Sequence, residues 1–159
     1  MLCVRIAILA LLALVFAQDM RSRAVYWLLF PVLTALFIVL AGFSVAAVIN
    51  IVFLLVQFLL VSAYFSIKKR RWVNVMKGLL GWGDMLFLLS IAFYLSVLNF
   101  VFFYIASLLF VLLVAAKRYK HIPLAGLQAL LLAALLITDW WIRPFNLTSD
   151  DWLLRLINR

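Results

Sequence analysis

The run "AVYWLLFPVLTALFIVLAGFSVAAVINIVFLLVQFLLVSAYFSI", residues 24–67, contains 44 residues and no charged side chain. A membrane-spanning helix needs roughly 20 apolar residues. The run is therefore too long for one helix and suits two, with a break near Ala41–Ser44. The rest of the chain has the same character, since 70% of its 159 residues are hydrophobic. Because a water-soluble domain of this length has too little interior to bury so much apolar surface, the sequence predicts an all-α membrane protein.

Further apolar stretches complete the predicted fold. Leu2–Ala17 suits one span, and Ile122–Thr138 suits the last one. The uncharged run 85–116 would reach roughly 48 Å as a single helix, which exceeds the hydrocarbon core of a bilayer. We therefore predict two short helices in this run, with a turn near Asn99. The total is six transmembrane helices, in a single domain over residues 1–143.

The distribution of charge predicts the orientation. Ten of the 14 Lys and Arg residues lie in the loops after the first, third and fifth spans, whereas the loops at 41–46 and 97–100 carry none. Lys and Arg mark cytoplasmic loops, so both termini are predicted to lie outside, in a multi-pass protein. The first span also resembles a secretory signal peptide with a cleavage site at Ala17. Cleavage would put the basic loop 68–77 outside, so we favour a retained helix.

The basic loops and the end of the chain indicate contact with the membrane surface. We expect loop 68–77 to bind anionic lipid. We do not expect nucleic-acid binding, because the basic residues are not interleaved along a soluble face. Residues 144–159 restart a helix in which four apolar side chains share one face, which predicts a short amphipathic helix on the outer surface; they are Trp152, Leu153, Leu156 and Ile157.

The carboxylates are few and unevenly placed. The chain has no Glu and five Asp residues, of which only Asp19 and Asp84 belong to the predicted cytoplasmic side. Asp19 lies at the exit of the first span and Asp84 at the entrance of the fourth, so the topology gives them a similar depth. An ionisable group at the membrane edge is a functional candidate. Two structural interpretations stand beside this one: Asp84 as the N-cap of the fourth helix, and Asp19 as an ion-pair partner of Arg23.

A pair of carboxyl groups suggests a specific chemistry. Two such groups held close together share one proton, because both cannot ionise in a poorly solvated site. One takes a proton from water and the other protonates the substrate carbonyl or leaving amine, which hydrolyses a peptide bond without a metal or a nucleophilic side chain. Gly81 and Gly83 would leave room for an extended peptide. With a single His, His121, and a single Cys, Cys3, we predict no metal site and no cofactor.

Three segments around these residues form recognisable motifs. "GWGD" (Gly81–Asp84) opens the fourth predicted helix, and "DMRSRAVYWLLFP" begins at Asp19 with an acid, a basic stretch and an apolar helix. They resemble the two motifs of the GxGD membrane aspartyl proteases, most closely those of the prepilin peptidase family. "KHIPLAG" before the sixth helix resembles a further Ile-Pro stretch of that family. In this chain Tyr26 and Trp27 stand where the family has Pro-Asn.

The resemblance implies an aspartic-type endopeptidase of a bacterial or archaeal cytoplasmic membrane. Its substrates would be prepilin-like, membrane-anchored proteins, cleaved at the cytoplasmic face just before their apolar helix. Asp19 and Asp84 would be the catalytic pair. The chain resembles the minimal members, which lack the N-terminal domain linked to methylation. The alternative is a non-enzymatic membrane scaffold or assembly subunit that has kept the fold, and the sequence leaves the oligomeric state open.

Overall fold

The computed structural model describes residues 1–22, 25–69, 81–118, 124–142 and 146–150. Within these residues the chain forms helices and no strand, which confirms the predicted all-α class. A π-helical turn at Thr138–Ile142 continues the last of the α-helices. These α-helices are, in chain order, α1 (Leu2–Ser22), α2 (Leu29–Ala41), α3 (Val45–Lys69), α4 (Trp82–Ala92), α5 (Val97–Arg118) and α6 (Leu124–Ile137).

The lengths of these helices indicate a membrane protein. Three described segments are long and apolar enough to cross a bilayer: Leu2–Ser22, Val45–Lys68 and Leu124–Trp141. The other apolar helical segments are shorter, and they are Leu29–Ala41, Trp82–Ala92 and Val97–Leu113.

The break inside the long uncharged run lies where the sequence predicts it. Gly42 ends α2 with φ at 75°, a left-handed conformation that glycine adopts without a steric penalty. Its N–H donates to the carbonyl oxygen of Ile38 at 2.8 Å and so completes the last turn of the helix. The chain then reverses, and α3 begins at Val45.

Other helix boundaries differ from the predicted ones. α1 continues to Ser22, so that Asp19 lies inside its last turn rather than beyond the span. The turn between α4 and α5 occupies residues 93–96, and the prediction that it lies at Asn99 is wrong. The Asn50 side chain explains the earlier turn, because its Nδ2 donates to the carbonyl oxygens of Ala92 at 3.1 Å and Leu95 at 2.9 Å. Carbonyl groups at the end of a helix need such partners.

The helices pack around a core of buried aliphatic and aromatic side chains. α1 packs most extensively on α6, and α2 packs on α4. Edge-to-face ring contacts join Phe53 of α3 to Phe100 and Tyr104 of α5. The largest fully buried apolar side chains are Phe30, Phe37, Phe87, Phe100, Ile8, Leu12, Leu33, Ile91, Leu132 and Leu136.

The bundle has two chemically different ends. At the first, which we call the Asp end, the end of α1 meets the starts of α4 and α6 around Asp19 and Asp84. At the second, which we call the Arg5 end, Arg5 near the start of α1 lies against Trp140, and Trp140 bonds to Tyr94 just after α4. Consecutive contacts of this kind indicate that α1 runs antiparallel to α4-to-α6 neighbours in the alternating manner of a helical bundle.

Several predicted features lie outside the described residues. These are Arg23 with its predicted ion pair, most of the basic loop 68–77, His121, and the amphipathic part of the tail at 151–159. Of the tail, only residues 146–150 are described, and they form a turn in which the Ser149 N–H donates to the Asn146 carbonyl oxygen at 2.9 Å. Asn99 fastens this turn to α5, because its Nδ2 donates to the carbonyl oxygens of Leu147 and Ser149.

Candidate functional site

Asp19 is the most enclosed carboxylate of the Asp end. It lies in the last turn of α1 and only 7% of its surface is exposed. Its Oδ2 accepts a 2.6 Å hydrogen bond from the backbone N–H of Gly126, in the first turn of α6. The N–H groups of a first helical turn have no partner within the helix and carry a partial positive charge, so this position favours a negative group.

Gly126 makes this contact possible. A Cβ atom built at this residue would lie 3.1 Å from both the Cβ and the Oδ2 of Asp19, closer than ordinary packing distances. A side chain here would therefore push α6 away from α1. Gly126 was not among the predicted site residues. The available signal was its place at the end of "KHIPLAG", directly before a long apolar run.

Asp84 is the second carboxylate of the Asp end. It lies in the first turn of α4 and is half-buried. Its Oδ2 accepts a 3.2 Å hydrogen bond from the backbone N–H of Gly81, the residue before the helix. This contact is the side-chain half of a capping box. Asp84 therefore caps α4, although from the third helical position and not from the N-cap position itself.

The two carboxyl groups meet at the start of α6. Asp84 interacts electrostatically with the charge of Asp19 and with the backbone amide group of Ala125, the neighbour of Gly126. Two adjacent residues of one helical turn thus serve two carboxylates from α1 and α4. The sequence predicts that Asp19 and Asp84 share one end of the bundle, and the structure brings them together there. The part played by the first turn of α6 was not predicted.

The two glycines of "GWGD" have different surroundings. A Cβ at Gly81 would lie 3.1 Å from the Oδ2 of Asp84, so a side chain there would disturb the capping contact. A Cβ at Gly83 would make only an ordinary contact, 3.8 Å from the Cζ of Phe30. Gly83 therefore meets no obstacle within the described part of the protein. The predicted role of both residues in admitting a peptide backbone remains a prediction.

A network of hydroxyl groups fixes α4 against α2. The Ser90 hydroxyl lies 3.1 Å from the Phe30 carbonyl oxygen and 2.8 Å from the Leu86 carbonyl oxygen. The Thr34 hydroxyl donates to Ser90 Oγ at 3.0 Å. Below this network the rings of Phe30 and Phe87 meet edge to face, with centroids 6.5 Å apart. These contacts hold the start of α4, and with it Asp84, in place.

The segment after α1 is held by a residue that the sequence did not single out. Gln18 Oε1 accepts a 3.0 Å hydrogen bond from the backbone N–H of Tyr26, and the carbonyl oxygen of Gln18 accepts one from the Ser22 hydroxyl. The chain thereby turns back beside Asp19. Tyr26 and Trp27, which replace the Pro-Asn of the prepilin peptidase motif, are exposed at this turn.

An apolar groove begins beside Asp84. It lies between α3 and α4 and encloses about 190 Å³. Trp82 and Met85, the sequence neighbours of the Gly83–Asp84 pair, form its wall on α4, and Leu86 and Leu89 continue that wall. The wall on α3 consists of Ile51, Leu54 and Leu55. A carboxylate thus stands at the end of an apolar channel that runs along two helices.

The donor set of the Asp end suits proton transfer. Among the residues that the structure describes, no group of three or more His, Cys, Asp or Glu side chains is placed to hold a metal ion. What the Asp end offers is two carboxyl groups, each with a backbone N–H on one oxygen and one oxygen left for another partner. Such a pair can exchange protons with a water molecule or a substrate.

Comparisons of this chain with models of protein families, with curated proteins and with solved structures give no match.

Proposed function

We propose that this protein is an aspartic-type endopeptidase of the cytoplasmic membrane, which cleaves the leader of prepilin-like substrates with Asp19 and Asp84. One observation carries the proposal: the two Asp residues that resemble the catalytic pair of the prepilin peptidases, 65 positions apart in the chain, interact at one turn of α6. Both residues are the only carboxylates of the predicted cytoplasmic side. A pair of acids this close can share one proton.

The hydrogen bonds support a division of labour within the pair. Asp19 accepts the shorter bond, 2.6 Å from Gly126, at a helix N-terminus that favours negative charge. We therefore assign Asp19 as the ionised member, which takes a proton from the attacking water. Asp84, with a 3.2 Å bond to Gly81, is assigned as the proton donor to the substrate carbonyl and then to the leaving amine.

The groove between α3 and α4 supports the choice of substrate. A prepilin-like substrate carries its scissile bond directly before an apolar helix. Apolar side chains of that helix would pack along Leu54, Leu55 and Leu86, which line the groove. The scissile bond would then lie at the level of Asp84, where the groove begins. Exposed Trp82 would lie at the membrane interface, a depth that indole rings prefer.

The proposal includes the predicted topology. The Asp end would face the cytoplasm and the Arg5 end would face the outside, with six helices crossing the membrane. Arg21 and Lys68, two of the basic residues assigned to the cytoplasm, lie in the last turns of α1 and α3. Arg5 is the lone basic residue of the first predicted outer end. The charge rule for membrane proteins favours this orientation.

A scaffold without enzymatic activity is the second candidate, and a specific observation favours it. Both carboxylates already accept backbone hydrogen bonds, so Asp19 joins α1 to α6 and Asp84 caps α4. Contacts of this kind stabilise a helical bundle by themselves. In this case the two Asp residues would be needed for stability and not for chemistry.

Substitution by Asn separates the two candidates. An Asn side chain keeps an oxygen that accepts the N–H of Gly126 or Gly81, but it loses the acid. We propose co-expression of the full chain with a panel of prepilins and measurement of their N-termini by mass spectrometry. Asp19→Asn and Asp84→Asn are each expected to reduce cleavage at least about a hundredfold, since general acid–base catalysis contributes that much or more.

The controls make each outcome interpretable. Asp150→Asn removes a carboxylate from the opposite end, beside Ser96, and is expected to leave cleavage unchanged. An established prepilin peptidase, expressed with the same panel, shows that the substrates are competent. If that enzyme cleaves them and the wild-type chain does not, the scaffold candidate replaces the protease. The same follows if either Asn variant cleaves as the wild type does.

A further inference from the structure

A second polar site lies at the Arg5 end, away from Asp19 and Asp84. An open cavity of about 320 Å³ is enclosed there by the start of α1, the residue after α4, the π-helical turn and the segment 146–150. This volume lies at the lower end of the range for pockets that hold small molecules. The polar side chains of its lining include Arg5, Tyr94, Asp139, Trp140, Asn146 and Thr148.

Arg5 supplies positive charge to this cavity. Its guanidinium carbon lies 5.4 Å from the centroid of the Trp140 ring, which holds the group by a cation–π contact. Its Nε is buried and has no hydrogen-bond partner among the described residues. A buried donor without a partner is costly, and a guanidinium group is suited to bind phosphate with two parallel hydrogen bonds. Arg5 thus favours an oxyanion in the cavity.

Tyr94 supplies a second donor. Trp140 donates its Nε1–H to the Tyr94 hydroxyl oxygen at 2.9 Å. That oxygen therefore acts as acceptor towards Trp140, and its own hydrogen is left for another group. The side chains of Asn146 and Thr148 add donors on the opposite wall, from a turn in which Asn146 adopts a left-handed φ of 52°.

Asp139 limits which phosphate compounds fit. Its carboxylate lines the same cavity as Arg5, and both interact electrostatically with the Tyr94 hydroxyl. A ligand with a second negative charge would be repelled, whereas a ligand with a phosphate and an ammonium group would match both residues. The neighbouring Trp141 is half exposed, as expected for an indole at the headgroup level of a bilayer.

We propose that this cavity binds a phosphate group, and that its source is the headgroup of a zwitterionic phospholipid with a primary amine. The phosphate contacts Arg5, and the ammonium group lies towards Asp139. Phosphatidylethanolamine is the natural probe. The site lies at the end of the bundle opposite to the two catalytic candidates, so the inference is independent of the proposed protease activity.

Native mass spectrometry of the full chain in detergent tests the proposal. Phosphatidylethanolamine is added and its bound fraction is compared with that of phosphatidylglycerol, which has the phosphate without the amine, and of diacylglycerol, which has neither. We expect phosphatidylethanolamine to bind best and diacylglycerol to bind least. Arg5→Gln should weaken phosphatidylethanolamine binding about tenfold, as for the loss of one charge-assisted contact. Arg21→Gln, at the other end of the same helix, is the matched control and should bind as the wild type does.

Further variants keep the test decisive. Arg5→Lys retains the charge against Trp140 and should bind between the wild type and Arg5→Gln, which also covers the case that Arg5→Gln does not fold. Asp139→Asn should remove the preference for phosphatidylethanolamine over phosphatidylglycerol. Competition by millimolar inorganic phosphate that depends on Arg5 would support the phosphate site and assign its source to the solution. Equal lipid binding by the wild type and both Arg5 variants, or equal binding of diacylglycerol and phosphatidylethanolamine, would overturn the proposal.

Discussion

Asp19 and Gly126, 107 residues apart in the chain, are joined by a 2.6 Å hydrogen bond from the Gly126 N–H to the Asp19 Oδ2. The bond connects the last turn of α1 to the first turn of α6, the pair of helices that pack most extensively. It places a carboxylate where the N–H groups of a helix start are unpaired. The same turn of α6 also receives Asp84, through Ala125. The first turn of α6 thus organises the Asp end.

A side chain at Gly126 should damage this arrangement. In Gly126→Ala the new Cβ would lie 3.1 Å from the Cβ and Oδ2 of Asp19, so α6 must move. Overpacking of this kind costs about 1–3 kcal/mol. We expect a lower melting temperature in detergent and, if the chain is a protease, slower cleavage.

Gly83→Ala is the matched control for stability. The added Cβ meets Phe30 at an ordinary 3.8 Å, so the melting temperature should change little. An equal loss of stability in both variants would show that the close approach of Gly126 to Asp19 is not responsible.

The acid pair should behave as one unit. If Asp19 and Asp84 share a proton, removal of either acid abolishes the function of both. The double variant Asp19→Asn/Asp84→Asn should therefore cleave no more slowly than the worse single variant, measured as initial rates on one prepilin. Losses that multiply would indicate two independent contributions and would contradict a dyad.

Asn50 should be essential for the end of α4. This residue is fully buried, and its Nδ2 donates to the carbonyl oxygens of Ala92 and Leu95. Asn50→Leu leaves both oxygens without this donor, which costs about 1–3 kcal/mol for a buried group. Thermal unfolding in detergent measures the loss. Gln57→Leu, on the same helix in a half-buried position beside an apolar groove, is the control and should be nearly neutral.

The orientation of the chain can be read from cysteine labelling. Cys3 is exposed at the start of α1, so a membrane-impermeant maleimide should modify it in intact cells. In the variant Cys3→Ser/Lys68→Cys the thiol lies in the last turn of α3, at the predicted cytoplasmic side, and should react only after permeabilisation. The opposite pattern would reverse the predicted topology. An N-terminus at Gln18 in the mature protein would show that the first span is a cleaved signal peptide.

Some boundaries were predictable because their causes are local. The break after Ala41 follows from Gly42, which can adopt positive φ in an otherwise uninterrupted apolar run. The turn between α4 and α5 was predicted too late in the chain, since its position depends on Asn50, 42 and 45 residues away from the carbonyl groups that it binds. Likewise, the extension of α1 through Asp19 reflects a partner on α6 that stabilises a carboxylate inside a helix.

The sequence by itself determined that the protein is helical and suited to a membrane, because apolar content and uncharged run lengths act on each segment separately. It also singled out Asp19 and Asp84, since carboxylates are rare and conspicuous in such a chain. Only the tertiary structure decided that the first turn of α6 joins them. The groups that do so are the backbone N–H of Gly126 and the amide group of Ala125. Every residue except proline carries a backbone N–H, so its partner depends on how the helices pack and leaves no mark in the sequence.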